Sequence, residues 1–125
     1  MTDNILESDY YIFSLKDLCT AIMQREGRDL SSRQLSILLT CYLQQGPHTV
    51  RALAAELSAT KPEITRALNC LEGFDLLRRK INPIDHRRVV IQRTKKGIGF
   101  IDQLRQTIVD MPQVAEFKAI GKVAA

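Results

Sequence analysis

Two short helical patterns joined by a tight turn constrain the fold more than any other feature of this sequence. Apolar residues recur at three- and four-residue spacing over residues 50–57 and again over residues 64–71. Thr60 is a favourable N-cap for the second pattern, and Glu63, three residues later, completes a capping box. The sequence therefore predicts a helix-turn-helix whose second helix is Lys61–Leu71.

The second helix of this pair exposes side chains that suit it to read a duplex. With its apolar face buried, it presents donors, a hydroxyl and an amide, the groups that contact base edges and phosphates. The residues predicted to face the major groove are Lys61, Thr65, Arg66 and Asn69. Arg66 suits a bidentate contact to guanine and Asn69 one to adenine, each contributing ~1–3 kcal/mol of discrimination. Helix pairs of this kind also occur in bundles that bind no nucleic acid, so this stretch alone leaves both interpretations open.

Charge is distributed unevenly along the chain. Residues 61–96 contain ten Lys or Arg and four acidic residues, a net charge of +6, within a chain whose net charge is +4. The remainder contains eight basic and ten acidic residues, a net charge of −2. A basic run is often only a solvated surface, but this one follows the helix predicted to read DNA. The distribution therefore favours a polyanion bound on one face.

The flanking sequence completes a recognisable layout. The other predicted elements are helices over residues 9–26 and 32–45, strands over 76–81 and 88–93, and a helix over 95–110 that Pro112 ends. A basic hairpin behind a recognition helix is the layout of a winged helix. We predict a mainly α fold with a small β-hairpin wing, an α+β winged helix-turn-helix over residues 9–110, followed by a short C-terminal tail over 111–125.

The predicted wing and the loops around the helix-turn-helix supply further DNA contacts. His86, Arg87 and Arg88 are expected at the minor groove, where a narrow A·T stretch deepens the negative potential. The residues predicted to bind phosphates, through hydroxyls or positive charge, are Thr49, Arg51, Ser58, Thr60, Lys80, Lys95 and Lys96. For each of them a solvated surface residue is the alternative. Arg79 is expected either to contact DNA or to pair with Asp85 across the hairpin, and both remain open.

Other functional classes are disfavoured. The histidines, His48 and His86, have no nucleophile-and-base set, glycine-rich phosphate loop or metal-ligand spacing around them, so neither an enzyme nor a cofactor site is expected. The cysteines, Cys19, Cys41 and Cys70, lie far apart and suit reduced packing residues, with a peroxide-sensing Cys19 as the alternative. No apolar run approaches the roughly 20 residues of a membrane span, and acidic residues replace the basic start of a secretory signal. We expect a cytoplasmic protein without a membrane partner.

A series of residues along the chain resembles the MarR family of bacterial winged-helix transcription regulators. The spacing of the family series holds without a gap from Leu53 to Gly97, and the overall likeness spans about residues 10–110. The residues that carry it are Leu53-Ala54, Leu57, Ile64-Thr65-Arg66, Leu71-Glu72, Leu76-Leu77, Arg79, Pro83, Asp85, Arg87, Thr94 and Gly97. The resemblance implies a sequence-specific regulator of double-stranded DNA, often a repressor, on a pseudo-palindromic operator. It also implies a homodimer built by the first and last helices, and a small-molecule effector or thiol oxidation that releases the DNA.

The resemblance also assigns roles within the wing and shows where this chain departs from the family. Arg87 is implied to enter the minor groove while Asp85 orients the basic residues beside it. Three positions differ: Asp75 stands where the family has Gly at a positive φ, His86 replaces a common Arg, and Arg93 replaces an apolar residue. The alternative function is a winged-helix interaction module that binds an acidic protein without preference for a DNA sequence.

Overall fold

The computed structural model describes residues 7–26 and 29–114. Its elements are α1 (Glu7–Glu26), α2 (Ser32–Leu43), α3 (Val50–Glu56), α4 (Lys61–Gly73), β1 (Leu77–Ile81), β2 (Val89–Arg93) and α5 (Lys95–Val109). The predicted fold class, mainly helical with a two-stranded antiparallel hairpin, is confirmed, and the predicted boundaries differ from the observed ones by two residues at most. The chain divides into two compact units, one formed by Leu30–Ile101 and the other by the segments on either side of it.

The core of the Leu30–Ile101 unit lies between α2 and α4. Ile37 and Leu38 of α2 are fully buried, as are Ile64, Leu68 and Leu71 of α4. Ser31 opens α2 with a capping box, in which its hydroxyl and the Gln34 side chain each accept a backbone N–H. The centre of α2 is buried, whereas Leu43 at its end is 63% exposed.

Asp75 ends α4 in the conformation that its position in the sequence predicted. Its φ is 59°, in the left-handed region that disfavours most side chains. The Asp75 N–H donates to the Glu72 carbonyl at 2.9 Å, and the Leu76 N–H donates to the Leu71 carbonyl at 2.9 Å. These two bonds form a Schellman motif with Asp75 at the left-handed position. The chain thereby turns directly from α4 into the first strand of the hairpin.

The hairpin is anchored to the rest of its unit through Tyr42. The Tyr42 hydroxyl donates to the Leu76 carbonyl at 2.6 Å and accepts the Thr94 N–H at 3.0 Å. The Thr94 hydroxyl donates to the Asp75 carbonyl at 2.6 Å and accepts the Gly97 N–H at 2.9 Å, which caps α5. A Cβ at residue 97 would lie 1.7 Å from the Tyr42 hydroxyl oxygen. This close approach explains why the Thr-x-x-Gly spacing is needed at the start of α5.

Arg93 takes a structural role at the position where the family has an apolar residue. Its Nε donates to the Cys41 carbonyl at 2.8 Å and its Nη2 to the Gln44 carbonyl at 3.3 Å, so it satisfies carbonyls at the end of α2. Its guanidinium also lies over the Tyr42 ring, 5.6 Å from the centroid. The Arg93 side chain thus takes the place of the apolar residue that the family has here, through its hydrogen bonds to α2 and its contact with the Tyr42 ring. Another contact was not predicted: the Ile91 N–H donates to the His48 carbonyl at 3.0 Å, which adds a short β-bridge to β2.

The second unit is built from α1 and the C-terminal half of α5. Tyr10, Ile22, Leu104 and Met111 are buried in it. Gln113 donates to the Asp17 carboxylate at 2.7 Å within the same unit. Some apolar side chains of α1 face outward, and Ile12 is 62% exposed. The predicted C-terminal tail over residues 111–125 falls mostly outside the described residues.

Candidate nucleic-acid interface

Helix α4 has the exposed polar face that the sequence predicted for a recognition helix. Its buried residues are Ile64, Ala67, Leu68 and Leu71. Lys61, Arg66 and Asn69 are exposed on the opposite side, and Thr65 is half-buried. At a rise of about 1.5 Å per residue, the exposed face is about 12 Å long from residue 61 to residue 69. The helix can therefore offer several side chains to successive base pairs at once.

The first turn of α4 is held by its own side chains. The Thr60 hydroxyl accepts the Glu63 N–H at 3.3 Å and donates to the Glu63 carboxylate at 2.9 Å. The predicted capping box is therefore modified, since Glu63 binds the hydroxyl of Thr60, not its backbone N–H. Arg33 of α2 forms an ion pair with Glu63. The hydrogen bond from Thr60, together with the charge of Arg33, lowers the pKa of the Glu63 carboxyl.

A groove beside the N-terminus of α4 brings together residues that lie far apart in the sequence. Its volume is about 550 Å³. The lining residues are Pro47, Thr49, Val50, Arg51, Lys61, Arg87, Arg88 and Val89. Helix α3, helix α4 and the wing thus contribute four cationic side chains to one concave surface. The Thr49 hydroxyl lies at the same groove but also caps α3, since it accepts the Ala52 N–H at 3.1 Å.

The turn of the wing is organised by two short polar side chains. The Asn82 side-chain oxygen accepts the Ile84 N–H at 2.8 Å and the Asp85 N–H at 3.1 Å. Asp85 accepts the backbone N–H of Arg87 at 3.1 Å and lies 3.4 Å from its Nε. The Arg87 side chain is 93% exposed. Asp85 therefore contacts the basic neighbour that it was expected to orient.

Arg79 does not pair with Asp85, so that alternative for Arg79 is wrong. Its backbone N–H donates to Glu72 Oε1 at 2.6 Å, and its Nε and Nη2 donate to Glu72 Oε2 at 3.0 and 2.7 Å. Its Nη2 also donates to Asn69 Oδ1. These hydrogen bonds, with the charge of Arg79, lower the pKa of the Glu72 carboxyl. The result is a direct link between the last turns of α4 and the first strand of the wing.

The remaining predicted phosphate contacts are more scattered. Lys80 is exposed on β1, opposite Val90 in the hairpin register. Lys95 lines a second cavity of about 380 Å³ together with Arg78 and Gln92, and Lys96 donates to the Phe74 carbonyl at 2.8 Å. Ser58, the predicted phosphate contact in the turn before α4, is exposed. His86, which was predicted to lie at the minor groove, is also exposed. Ser58 has a φ of 52°.

Sequence reasoning missed contributors that only the fold brings to this surface. Pro47 and Val50 form the wall of the groove beside α3. Arg33 reaches the recognition helix from α2. No local pattern marks Arg33, because its partner lies thirty residues further along the chain. The capping signal at Thr49 does place the start of α3, and with it this side of the groove.

The thiols within residues 7–26 and 29–114 differ in their exposure. Burial raises the pKa of the Cys41 thiol to about 12, whereas Cys19 and Cys70 are exposed. No group of three or more His, Cys, Asp or Glu side chains in these ranges is arranged to hold a metal ion. None of the helices in these ranges has the length and apolar character needed to cross a membrane.

The element order and the hairpin define a winged helix-turn-helix, and solved structures share this fold. MepR of S. aureus in complex with DNA is 23% identical, with a TM-score of 0.70 over 91% of this chain and 91% of that one. The transcriptional regulator Tm0710 from Thermotoga maritima is 22% identical, with a TM-score of 0.66 over 92% of this chain and 75% of that one. BldR from Sulfolobus solfataricus is 24% identical, with a TM-score of 0.57 over 94% and 88% of the two chains.

The family model agrees with the fold. Residues 30–89 match the MarR family model, and this segment is a MarR-family domain. It contains the helix-turn-helix and most of the wing. No curated protein matches the sequence significantly. The chain therefore has the fold of a MarR-family transcription regulator, as its sequence motifs predicted.

Proposed function

We propose that this protein binds duplex DNA with sequence preference and regulates transcription, as a repressor that occupies a pseudo-palindromic operator as a homodimer. The observation that carries the proposal is the groove in which Arg51, Lys61, Arg87 and Arg88 converge beside the exposed face of α4. Four cations on one concave surface suit a sugar-phosphate strand. The adjacent helix offers Arg66 to the base edges.

The positions of the residues on α3, α4 and the wing indicate which part of the DNA each would contact. Arg66 projects from the exposed face of α4 and would read a base in the major groove. Arg87, on the organised turn of the wing, would enter the neighbouring minor groove. Arg51 and Lys61 would hold the backbone between the two, with Thr49, Ser58 and Thr60 as further phosphate contacts. Lys80, Lys95 and Lys96 would add only attraction at longer range.

A binding titration at two salt concentrations tests this proposal. The probes are a duplex selected from a random library and an unselected duplex of the same length. Arg66→Ala should relax the preference at one base pair. Arg51→Ala, which removes a proposed backbone contact, should weaken binding to both duplexes alike and make the salt dependence shallower by about one phosphate contact, which is a slope change of roughly 0.9. Arg87→Ala should weaken the preference at the base pairs that face the wing.

Arg105→Ala is the matched control for charge. Arg105 belongs to the other unit and lies 2.7 Å from Asp102, so its removal should change affinity less than twofold. Failure of the wild-type protein to bind any duplex at low salt would refute DNA binding. Equal binding to heparin and to both duplexes would support the interaction module.

The homodimer is supported by apolar side chains exposed on α1. Ile12 is 62% exposed and Leu15 is 57% exposed. Neighbouring large apolar side chains that are exposed on one helix are typical of a surface that contacts another protein. A second copy of the chain would cover this face and place two recognition helices on one duplex. Ile12→Glu should convert a dimer to a monomer in analytical ultracentrifugation. Ile84→Glu, in the wing, is the control, since Ile84 is 95% exposed and should not affect assembly. A monomeric wild-type protein would refute the homodimer.

A further inference from the structure

We propose that Arg79 is a positioning residue that fixes the side-chain amide of Asn69, so that Asn69 acts toward DNA as a hydrogen-bond donor and reads an acceptor edge. The inference rests on the proposed function and deepens it, because it concerns which base one recognition-helix residue selects. It also revises the expectation that Asn69 binds adenine bidentately.

The position of the Arg79 guanidinium is set by Glu72. Three bonds join the two residues, at 2.6, 3.0 and 2.7 Å, and one of them comes from the Arg79 backbone. The Arg79 side chain is 27% exposed and that of Glu72 is 29% exposed, so water competes only partly for these bonds. Glu72 lies one helical turn beyond Asn69 on α4, and Arg79 spans the two. The guanidinium therefore reaches Asn69 from a fixed direction.

The orientation of the Asn69 amide follows from the chemistry of arginine. A guanidinium has five N–H donors and no acceptor, whereas an asparagine amide has one oxygen acceptor and one NH₂ donor group. Because Arg79 Nη2 bonds to Asn69, the amide must turn its oxygen toward Arg79. The NH₂ group then points away from the guanidinium on the exposed side chain. A flipped amide would place its NH₂ group against the guanidinium, two donors facing each other.

The base preference follows from this orientation. A bidentate contact to adenine needs the amide oxygen to accept the adenine N6–H while the NH₂ donates to N7. That oxygen already accepts a bond from a charged donor, which polarises it and restricts its approach to a base. The NH₂ group retains its donors, and guanine presents two acceptors, N7 and O6, in the major groove. Asn69 should therefore select guanine over adenine at the base pair that it contacts.

The test is to measure base preference at every position of the selected duplex for the wild-type protein and for Asn69→Ala, Arg79→Ala and the double variant. Asn69→Ala identifies the base pair that Asn69 contacts, and the wild-type protein should prefer guanine there. Arg79→Ala should shift that one preference toward adenine by about tenfold, within the range of a single base contact. The double variant should behave like Asn69→Ala alone.

A second variant and a second position separate positioning from loss of structure. Glu72→Gln weakens the hydrogen bonds that hold the Arg79 side chain. It should shift the base preference at the Asn69 position toward adenine as well, but by a smaller factor than Arg79→Ala. If Arg79 acted only by holding the wing, both variants would instead change the preferences at the base pairs that Arg87→Ala affects. Thermal melting shows whether each variant is folded at the assay temperature.

The outcomes separate the inference from the proposed function. If the wild-type protein binds no duplex, the proposed function fails. If it binds selectively but prefers adenine at the Asn69 position, or if Arg79→Ala and Glu72→Gln leave that preference within twofold of wild type, the inference is wrong and DNA binding stands.

Discussion

The close approach of Gly97 to Tyr42 leads to a sharp prediction for two glycines on one helix. At residue 97 an added Cβ would lie 1.7 Å from the Tyr42 hydroxyl oxygen and 2.5 Å from the Leu76 carbonyl oxygen. At residue 99, two positions further along α5, an added Cβ would meet nothing within 4 Å. Gly97→Ala and Gly99→Ala make the same chemical change in the same helix, so the difference between them measures the close approach alone.

The expected free energies have opposite signs. Gly99→Ala should stabilise the protein by about 0.8–1.0 kcal/mol, the difference in helix propensity between the two residues. Gly97→Ala has the same gain but also overpacks the site, at about 1–3 kcal/mol. It also displaces the Tyr42 hydroxyl from the Leu76 carbonyl and the Thr94 N–H, and each buried group left without a partner costs about 1–3 kcal/mol. With mid-range values of about 2 kcal/mol for overpacking and about 2 kcal/mol for one group that finds no new partner, less the gain in propensity, the net destabilisation by Gly97→Ala should be about 3 kcal/mol.

Thermal unfolding followed by circular dichroism measures both effects. At about 4 °C per kcal/mol for a chain of this size, Gly97→Ala should lower Tm by about 12 °C, and Gly99→Ala should raise it by about 3 °C. Tyr42→Phe removes the hydroxyl that the new methyl group would meet. The double variant that carries both Tyr42→Phe and Gly97→Ala should therefore be destabilised by less than the sum of the two single effects. Equal Tm values for the two alanine variants would refute the reasoning.

Three further predictions follow from particular side chains. At pH 8 a thiol reagent should label Cys19 and Cys70 rapidly and Cys41 only on unfolding, because Cys41 is buried and its pKa is raised to about 12. Labelling of Cys41 in the folded protein would contradict this prediction. The lowered pKa of Glu72 means that its stabilising contribution is present above its ordinary pKa of 4.5 and fades as the pH falls through the folded value. The urea midpoint of Glu72→Gln should therefore fall less steeply than that of wild type below about pH 4.5, and parallel curves would refute it. Asp75→Gly should raise the free energy of unfolding by about 0.5–1 kcal/mol in urea titration, since glycine adopts a φ of 59° without strain, and a loss of stability would contradict the assignment.

The helices and the hairpin were predictable because their signals are local. Helical periodicity and N-caps at Ser31, Thr49 and Thr60 place the starts of three helices within the Leu30–Ile101 unit. The left-handed conformation of Asp75 was predictable through the resemblance to the MarR family, which has Gly at a positive φ at this position. Local signals depend on neighbours within about five residues, so they survive without knowledge of the fold.

The partners of long side chains were not predictable from the same signals. Arg79 lies two residues after Leu77 and shares its face of β1, and Leu77 is buried against the rest of the unit. Because side chains two residues apart lie on the same face of a strand, Arg79 points toward α4 and away from the turn that contains Asp85. Only the curvature of the chain at Asp75 places Glu72 within reach of it. The same limit applies to Tyr42, whose partners Leu76 and Thr94 are 34 and 52 residues away.

The wing is constrained differently at its base and at its tip, and this difference decides how substitutions should act. At the base, β1 is tied to α4 by the Arg79–Glu72 bonds, and β2 is tied to the start of α3 by the bond between Ile91 and His48. At the tip, the turn is held mainly by its own residues, Asn82 and Asp85. Changes at the tip should therefore alter only the contacts that the tip itself makes. Changes at the base should instead alter what the recognition helix contacts, because Arg79 bonds to Glu72 and Asn69 of α4.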